Sequence, residues 1–362
     1  MTKAALALAL GLLLAAGCTG RTGHPAATVT SPSPSSRAGH RAGTQPGSTS
    51  RSLPSIDLIA DLTERPARWD FVALVRFGPE RGQLRYIPAA EHPTTEPNSF
   101  AVAPDGSFWI LDPGKHRLVH FARDGTFLEG RGGYSAYSSD LVFVRDDLVV
   151  ARQYQFGAVD LYQPSGLLIP SVLNEGGLRG AITDMVPTPE GWLWADVDAL
   201  PGERGVTGFF RVDLSRAGRL LPVPGLPLGN SWVTIDVSRT EESVIEVGYS
   251  TQEQTVSQSY AVHILDQGGV ELAGLVAPGN WVISGEDLYM YLRVAATRPD
   301  GTNVGARYLL RVGRSPMVWE RLVEPSGIDD DVQRRWLTLG PDGHLYMMVT
   351  DRDGVRIYER PS

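Results

Sequence analysis

Short hydrophobic runs separated by turn residues recur along the chain from residue 98 onward. The clearest unit, residues 98–130, has four apolar runs, and Pro104-Asp105-Gly106 and Asp124-Gly125 each separate two of them. Proline fixes φ, aspartate bonds to its own backbone and glycine tolerates positive φ, so these breaks favour tight turns. Four strands joined by such turns predict one twisted antiparallel sheet.

The same rhythm returns five more times. The middle residues of the first turns stand at 105, 146, 190, 241, 286 and 342, which gives spacings of 41, 44, 51, 45 and 56 residues. A period of this size is typical of one four-stranded propeller blade. The chain therefore predicts an all-β fold, a six-bladed β-propeller, whose later inner strands are Leu141–Val144, Met185–Thr188, Val233–Val237, Trp281–Ser284 and Trp336–Gly340.

The last unit has only three apolar runs before the chain stops. A strand from before the first repeat, Phe71–Phe77 or Gln83–Ile87, is expected to complete it and so close the ring without open edges. Short helical turns are expected near residues 55–63 and 327–332. The alternative architecture is an all-β sandwich followed by a second domain.

The first 18 residues have the pattern of a secretory signal. Lys3 precedes an apolar run from Ala4 to Ala16, and Gly17 and Cys18 follow it. Thirteen apolar residues span about 20 Å as a helix, which is too short for a bilayer core of about 30 Å. Residues 15–18, Ala-Ala-Gly-Cys, resemble a bacterial lipobox, which implies a lipidated (palmitate-type) Cys18 as the first mature residue. An ordinary cleaved signal is the alternative.

Composition divides the rest of the chain into a tether and a globular domain. Residues 19–54 contain 23 Gly, Pro, Ser or Thr among 36 residues, with four Arg and no acid, so we expect a disordered basic spacer. Residues 55–362 hold 28 basic and all 41 acidic side chains, a formal charge of −13. Such an acidic body is unsuited to nucleic acid. The predicted location is extracytoplasmic, with the membrane as a partner through the lipid anchor.

One repeat resembles a known family. Residues 112–118, Asp-Pro-Gly-Lys-His-Arg-Leu, are similar to the Asp-x-Gly-Asn-His-Arg-Ile core of the NHL repeat, with Lys115 in place of the usual Asn. The resemblance covers residues 98–130 and implies a six-bladed propeller. Propellers of this group include binding platforms, sensor domains and metal-dependent lactonases and lyases, and the fold alone does not choose among them.

Acidic and amide residues cluster where propellers meet their ligands, just before each inner strand or just after each second strand. The positions are Asn98, Asp140, Asp184 and Asn280 in the first group and Asp112, Asp196, Asp198 and Asp351 in the second. Oxygen ligands suit calcium or another hard divalent cation. Calcium-dependent lactonases of the regucalcin type look similar. The candidate metal set is Glu96, Asn98, Asp140, Asp184, Asp196 and Asp198, and turn chemistry is the alternative explanation.

Other chemistry has less support in the sequence. A single Cys excludes a disulfide framework, and there is no Gly-x-Ser-x-Gly elbow, His-Glu-x-x-His pair or phosphate-binding Gly loop. Three connections between second and third strands exceed the usual hairpin length: residues 198–208, 249–259 and 298–306. They fall on one predicted face, and we expect a protein or glycan partner there. The first hypothesis is thus a binding or scaffold module, and the alternative is a metal-dependent lactonase or lyase.

Overall fold

All regular secondary structure in the described part of the chain is β-strand apart from one 3-10 turn at Pro113–Lys115. The computed structural model describes residues 53–60, 69–88, 95–132, 138–152, 158–162, 168–172, 181–188, 190–198, 208–213, 219–238, 244–251, 254–313, 315–322 and 335–360. The signal peptide, Cys18 and nearly all of the tether lie outside these residues. Within them, no helix is long and apolar enough to cross a membrane.

Five four-stranded sheets form the blades of a propeller. Blade 1 contains β3 (Ser99–Val102), β4 (Phe108–Asp112), β5 (Arg117–Phe121) and β6 (Phe127–Gly132). Blade 2 contains β7 (Ser138–Val144), β8 (Asp147–Arg152), β9 (Ala158–Tyr162) and β10 (Leu168–Val172). Blade 3 contains β11 (Ala181–Pro187), β12 (Leu193–Asp198), β13 (Gly208–Asp213) and β14 (Arg219–Pro222).

The remaining strands form two further blades and one extra sheet. Blade 4 contains β19 (Ala273–Ser284), β20 (Asp287–Thr297), β21 (Asn303–Val312) and β22 (Met317–Leu322). Blade 5 contains β23 (Leu337–Leu339), β24 (Leu345–Asp351), β25 (Gly354–Arg360) and β2 (Asp70–Arg76). The extra sheet, called the side sheet, contains β15 (Leu226–Leu228), β16 (Ser231–Ser238), β17 (Val244–Ser250), β18 (Thr255–Leu265) and β1 (Ser55–Ile59).

The inner strands of the five blades form a closed ring. Each contacts the next in the order β3, β7, β11, β19 and β23, and β23 contacts β3. Blade 3 therefore meets blade 4 directly, and the side sheet contributes no inner strand. The prediction of six blades is corrected to five: the repeat at 233–237 forms β16 of a five-stranded sheet that packs on blades 3 and 4.

Closure by an N-terminal strand follows the prediction. β2 pairs antiparallel with β25 from Asp70↔Glu359 to Arg76↔Gly354 and so becomes the outer strand of blade 5. The backbone of β2 passes so close to Gly354 that a Cβ there would overlap the carbonyl oxygen of Val75. This contact explains a glycine with φ of +151° at the start of β25.

Each blade is buried on both faces, which explains the nearly continuous apolar runs in the sequence. One face of blade 1, with Trp109 and Leu118, packs on Leu141 and Leu148 of blade 2. Its other face, with Phe100 and Phe108, packs with Tyr346 and Met348 of blade 5. Alternate residues of one strand thus belong to two different hydrophobic clusters.

Residues 55–59, where a helical turn was expected, form the parallel strand β1 on the edge of β18. The expected turn at 327–332 lies outside the described residues. Ile56 and Leu58 of β1 are buried in the cluster between the side sheet and blade 4. The described β-structure therefore starts at Ser55.

We expect Leu58→Ala to lower the free energy of unfolding by about 2–5 kcal/mol, because it removes a fully buried side chain from that cluster. The matched control is Ile59→Ala, since Ile59 is the adjacent residue of β1 and is 46% exposed. Urea unfolding measures both variants. Equal effects of the two substitutions would contradict the packing of β1.

Candidate functional site

Side chains at one end of the central channel link the inner strands. Asp140 of blade 2 accepts hydrogen bonds from Ser99 Oγ of blade 1 (2.7 Å) and from the backbone N–H of Met185 in blade 3 (3.1 Å). Asp184 of blade 3 accepts one from the backbone N–H of Trp281 in blade 4 (2.7 Å). Each of these two carboxylates therefore bonds to the inner strand of the next blade in the ring.

Blades 4 and 5 are joined by an amide instead of a carboxylate. Asn280 Oδ1 accepts from the backbone N–H groups of Trp336 (3.0 Å) and Leu337 (3.2 Å), and its Nδ2 donates to the Leu337 carbonyl (2.7 Å). The backbone N–H of Arg335 donates to the carbonyl of Asn98 (3.0 Å), which returns the chain of bonds to blade 1. We call Asp140, Asp184, Asn280 and Arg335 the channel ring.

Register shifts accompany three members of the channel ring. They lie between Ser138 and Asp140, between Ile182 and Asp184, and between Pro278 and Trp281, the interval that contains Asn280. A bulge adds a residue to one strand and re-aims the side chain beside it. The same local irregularity in three blades thus directs a polar side chain sideways to the neighbouring blade.

Arg335 is the cation of the channel ring, and it is 1% exposed. Its Nε donates to Asp140 Oδ1 (2.7 Å) and its Nη2 donates to Asp140 Oδ2 (2.5 Å), Asp184 Oδ1 (2.8 Å) and the Met185 carbonyl (2.6 Å). Burial by itself lowers the pKa of the guanidinium, but the two carboxylates outweigh it and raise that pKa above its ordinary value. Arg335 therefore stays charged and bridges blades 2, 3 and 5.

The structure brings part of the predicted metal set together, around this guanidinium. Asp140 and Asp184 share Arg335, and Glu96 and Asn98 are buried close to blade 1 in the chain. Asp196 and Asp198 lie in β12, across from Asp184 and Ala181, and their side chains are outside the described part. A divalent cation on Asp140 and Asp184 would have to displace Arg335, so these two carboxylates do not fit a resident metal.

Two further acids from the sequence analysis are held by arginines. Asp112 is buried, accepts from Arg117 Nε (3.0 Å) and the Arg85 N–H (3.2 Å), and burial raises its pKa despite these bonds. Asp351 accepts from Arg356 Nε (3.0 Å). Both acids therefore join neighbouring segments of the sheet.

A cluster that the sequence analysis did not single out lies at the opposite end of the sheets. Asp342, His344 and Glu359 of blade 5 bring potential ligand atoms within 4.8 Å of one another. Glu359 also forms an ion pair with Arg123 of blade 1, and Tyr346 Oη donates to Asp342 (2.8 Å). Arg123 Nη1 donates to Tyr346 Oη (2.7 Å), so the cluster fastens blade 5 to blade 1.

A cavity of about 510 Å³ opens between blades 1 and 2 at that same end. Its walls include Ala103, Trp109, Phe143 and Leu148 together with polar side chains of both blades. His120 stacks on Trp109 with ring centroids 4.4 Å apart. No sequence motif indicated this cavity, because its walls come from two repeats.

A short chain of hydrogen bonds follows one wall of the cavity. Ser107 Oγ lies 2.5 Å from Asp105 Oδ1 and 2.6 Å from His120 Nε2, and Asp105 also accepts the Ser107 N–H. These bonds lower the pKa of Asp105, and burial lowers the pKa of His120. Asp105 therefore carries its charge at neutral pH while His120 is uncharged.

Comparisons with known proteins leave function open. No protein-family model and no curated protein matches the chain. Similar solved structures include a virginiamycin B lyase from Staphylococcus aureus (TM-score 0.40, 11% identity, 77% of this chain and 99% of that chain). A gluconolactonase from Xanthomonas campestris (TM-score 0.40, 12% identity) covers 82% and 99%, respectively.

A third similar structure is a regucalcin from Agrobacterium tumefaciens, described as a calcium-binding protein (TM-score 0.39, 13% identity, 79% of this chain and 94% of that chain). At these values the likeness carries no argument about ligand or reaction. The resemblance of residues 98–130 to the NHL repeat likewise rests on those residues alone.

We expect Arg335→Met to lower the free energy of unfolding by about 3–5 kcal/mol, because it leaves two buried carboxylates without their cation. The control is Arg356→Met, which removes a more exposed pair with Asp351 (both side chains 22% exposed) and should cost at most about 1 kcal/mol. Urea unfolding distinguishes the two. A small effect at Arg335 would show that the ring does not depend on its cation.

Proposed function

We propose that the protein is a lipid-anchored, extracytoplasmic propeller that binds a protein or glycan partner through the face above the channel ring. The observation that carries the proposal is the occupation of the ring carboxylates by Arg335 and by backbone N–H groups. The hydrogen bonds and ion pairs of these carboxylates join neighbouring blades. The channel end therefore supports a rigid platform better than it supports metal chemistry.

One hairpin, in blade 4, rises from this platform. The hairpin of the side sheet points to the opposite end, because its Tyr249 lies beside Gly313 in the turn between β21 and β22, whereas the end of β18 leads into Ala273, which pairs with Thr297 at the tip of the blade 4 hairpin.

Residues 249–259 and 298–306 were expected to be long loops, but seven of the first eleven residues and four of the second nine form strand. β17 and β18 pair up to Ser250↔Thr255, and β20 and β21 pair up to Thr297↔Asn303. Backbone bonds then close both turns, from Thr251 N–H to the Gln254 carbonyl (2.8 Å) and from Arg298 N–H to the Thr302 carbonyl (2.8 Å). The third predicted loop, at 198–208, lies almost wholly outside the described residues.

The hairpin of blade 4 extends well past the channel ring. Trp281, next to the ring residue Asn280, pairs with Met290, whereas the hairpin continues to Thr297. At about 3.3 Å per residue the strands rise roughly 20 Å above the ring. An ordered hairpin loses little conformational entropy when a partner binds, and that favours a recognition role.

The tip of the blade 4 hairpin offers polar groups, and one exposed apolar side chain lies just before β19 in the chain. Thr297, Thr302 and Asn303 are exposed, and Val270 is 53% exposed. Hydroxyl and amide groups donate and accept hydrogen bonds without charge. This surface suits a hydrogen-bonding partner such as a glycan or a peptide segment.

The alternative function, a metal-dependent lactonase or lyase, needs a cation over the channel. Two of its predicted ligands, Asp140 and Asp184, are bound to Arg335. Among the described side chains around the channel ring, none adds support for this alternative.

The partner surface can be tested by one charge placed beside the blade 4 hairpin. We expect Val270→Arg to reduce retention of the full chain on purified cell envelopes of the producing bacterium by about tenfold or more, since a buried contact would gain an unpaired charge. Val256→Arg is the control, because Val256 is equally exposed (54%) in the β17–β18 hairpin, at the other end of the side sheet. Equal retention of both variants would contradict the proposed face.

The anchor has its own test. Cys18→Ser removes the thiol of the lipobox-like segment, and we expect the protein to lose palmitate labelling and to leave the membrane fraction, because several acyl chains are needed for stable anchoring. Fractionation of cells and immunoblotting measure the shift. Membrane retention of the variant with unchanged labelling would rule out lipidation at Cys18.

A further inference from the structure

The cavity between blades 1 and 2 is separate from the proposed partner face, since it lies at the turns that join first to second strands. Its volume of about 510 Å³ is within the range of small-molecule sites. Ala103, Pro104, Trp109, Phe143 and Leu148 give it predominantly apolar walls. A metal ion is a poor occupant, because such walls cannot supply the six or so oxygen ligands that hard cations need.

Within the cavity the one arginine among the lining residues is already neutralised. Arg131 donates to Glu129 through Nε (3.3 Å) and Nη2 (2.8 Å), and its guanidinium lies 5.0 Å from the centre of the Trp109 ring. Glu129 and Arg131 therefore cancel in charge. His120 adds no charge at neutral pH, because burial lowers its pKa.

Two carboxylates remain, one from each blade. Asp105 belongs to the first turn of blade 1 and Asp146 to the corresponding turn of blade 2, and both line the cavity and are exposed. A cavity with two uncompensated negative charges at its polar edge repels anions and attracts cations.

The neighbouring arginines point away from this cavity. Arg123, in the other turn of blade 1, bonds to Tyr346 and Glu359 of blade 5. Arg145, beside Asp146, donates to the Glu190 carbonyl of blade 3 (3.2 Å). Among the described residues that line the cavity, Asp105 and Asp146 are thus left without a neighbouring arginine to balance them.

We propose that this cavity binds a small organic cation, an ammonium group carried on an apolar body. The ammonium would lie between Asp105 and Asp146, and the apolar body would contact Trp109, Phe143 and Leu148. The two carboxylates attract the cationic group, and the apolar walls accommodate the body that carries it.

The test uses the full chain in a non-ionic detergent with benzyltrimethylammonium as the probe and phenylpropanoate, an anion of similar size, as its counterpart. Isothermal titration calorimetry should show one bound cation per chain and no binding of the anion. No binding of the cation up to about 10 mM, or tighter binding of the anion, would overturn the proposal.

Charge variants locate the binding. Asp105→Asn and Asp146→Asn should each weaken binding of the cation by about threefold to fivefold, as expected for partly exposed charge pairs. Asp300→Asn is the matched control: like Asp105, Asp300 accepts the N–H of the residue two positions on, in a turn far from the cavity, and it should leave binding unchanged. Equal affinities in all three variants would refute a role for the two carboxylates.

A steric variant tests the cavity itself. Ala103→Leu adds three carbon atoms to a wall residue that is 5% exposed, and it should weaken binding at least about tenfold by filling the space of the apolar body. Thermal melting shows whether this variant folds, and the charge variants decide the question if it does not. Unchanged affinity in a folded Ala103→Leu protein would place the probe elsewhere and contradict the proposal.

Discussion

The buried guanidinium of Arg335 is the interaction on which the ring depends most. It lies between Asp140 and Asp184 and also bonds to the Met185 carbonyl, so one side chain of blade 5 joins two other blades. A buried ion pair of this kind contributes little net free energy relative to apolar packing, but removing one member is costly. Its value to this fold is geometric: it requires blades 2, 3 and 5 to meet at one point.

That constraint also explains why the side sheet stands outside the ring. The Trp281 N–H is bonded to Asp184, so blade 4 is drawn directly against blade 3. The side sheet then buries its apolar residues in the cluster it shares with blades 3 and 4, where Trp232 meets Trp194 edge to face with ring centroids 5.1 Å apart. The repeat at residues 233–237, although its length fits a blade, thus belongs to a sheet that packs against the side of blades 3 and 4.

The two ends of the propeller differ in chemistry. At one end the acids are neutralised internally, and the hairpin of blade 4 projects beyond them. At the other end the first turns of the blades carry acids, of which some join blades, as in the Asp342, His344 and Glu359 cluster, and two border the cavity between blades 1 and 2. A rigid ring between these ends would let each bind a different class of molecule.

The sequence by itself determined the strands of the blades, their turns and a closing strand from before the first repeat, because alternation and turn residues are local properties of the chain. It also identified Asp140, Asp184 and Asn280 as polar side chains at the channel. It missed β1, which it predicted as a helical turn. Only the tertiary structure decided that there are five blades, since spacing counts repeats but does not say which strand enters the ring. A signal was present: the strand at 233–237 is preceded by Trp232, where three other repeats have Asp or Asn. Likewise, Arg335 and the cavity depend on contacts between distant repeats, and such contacts leave no trace in the local pattern of a single sequence.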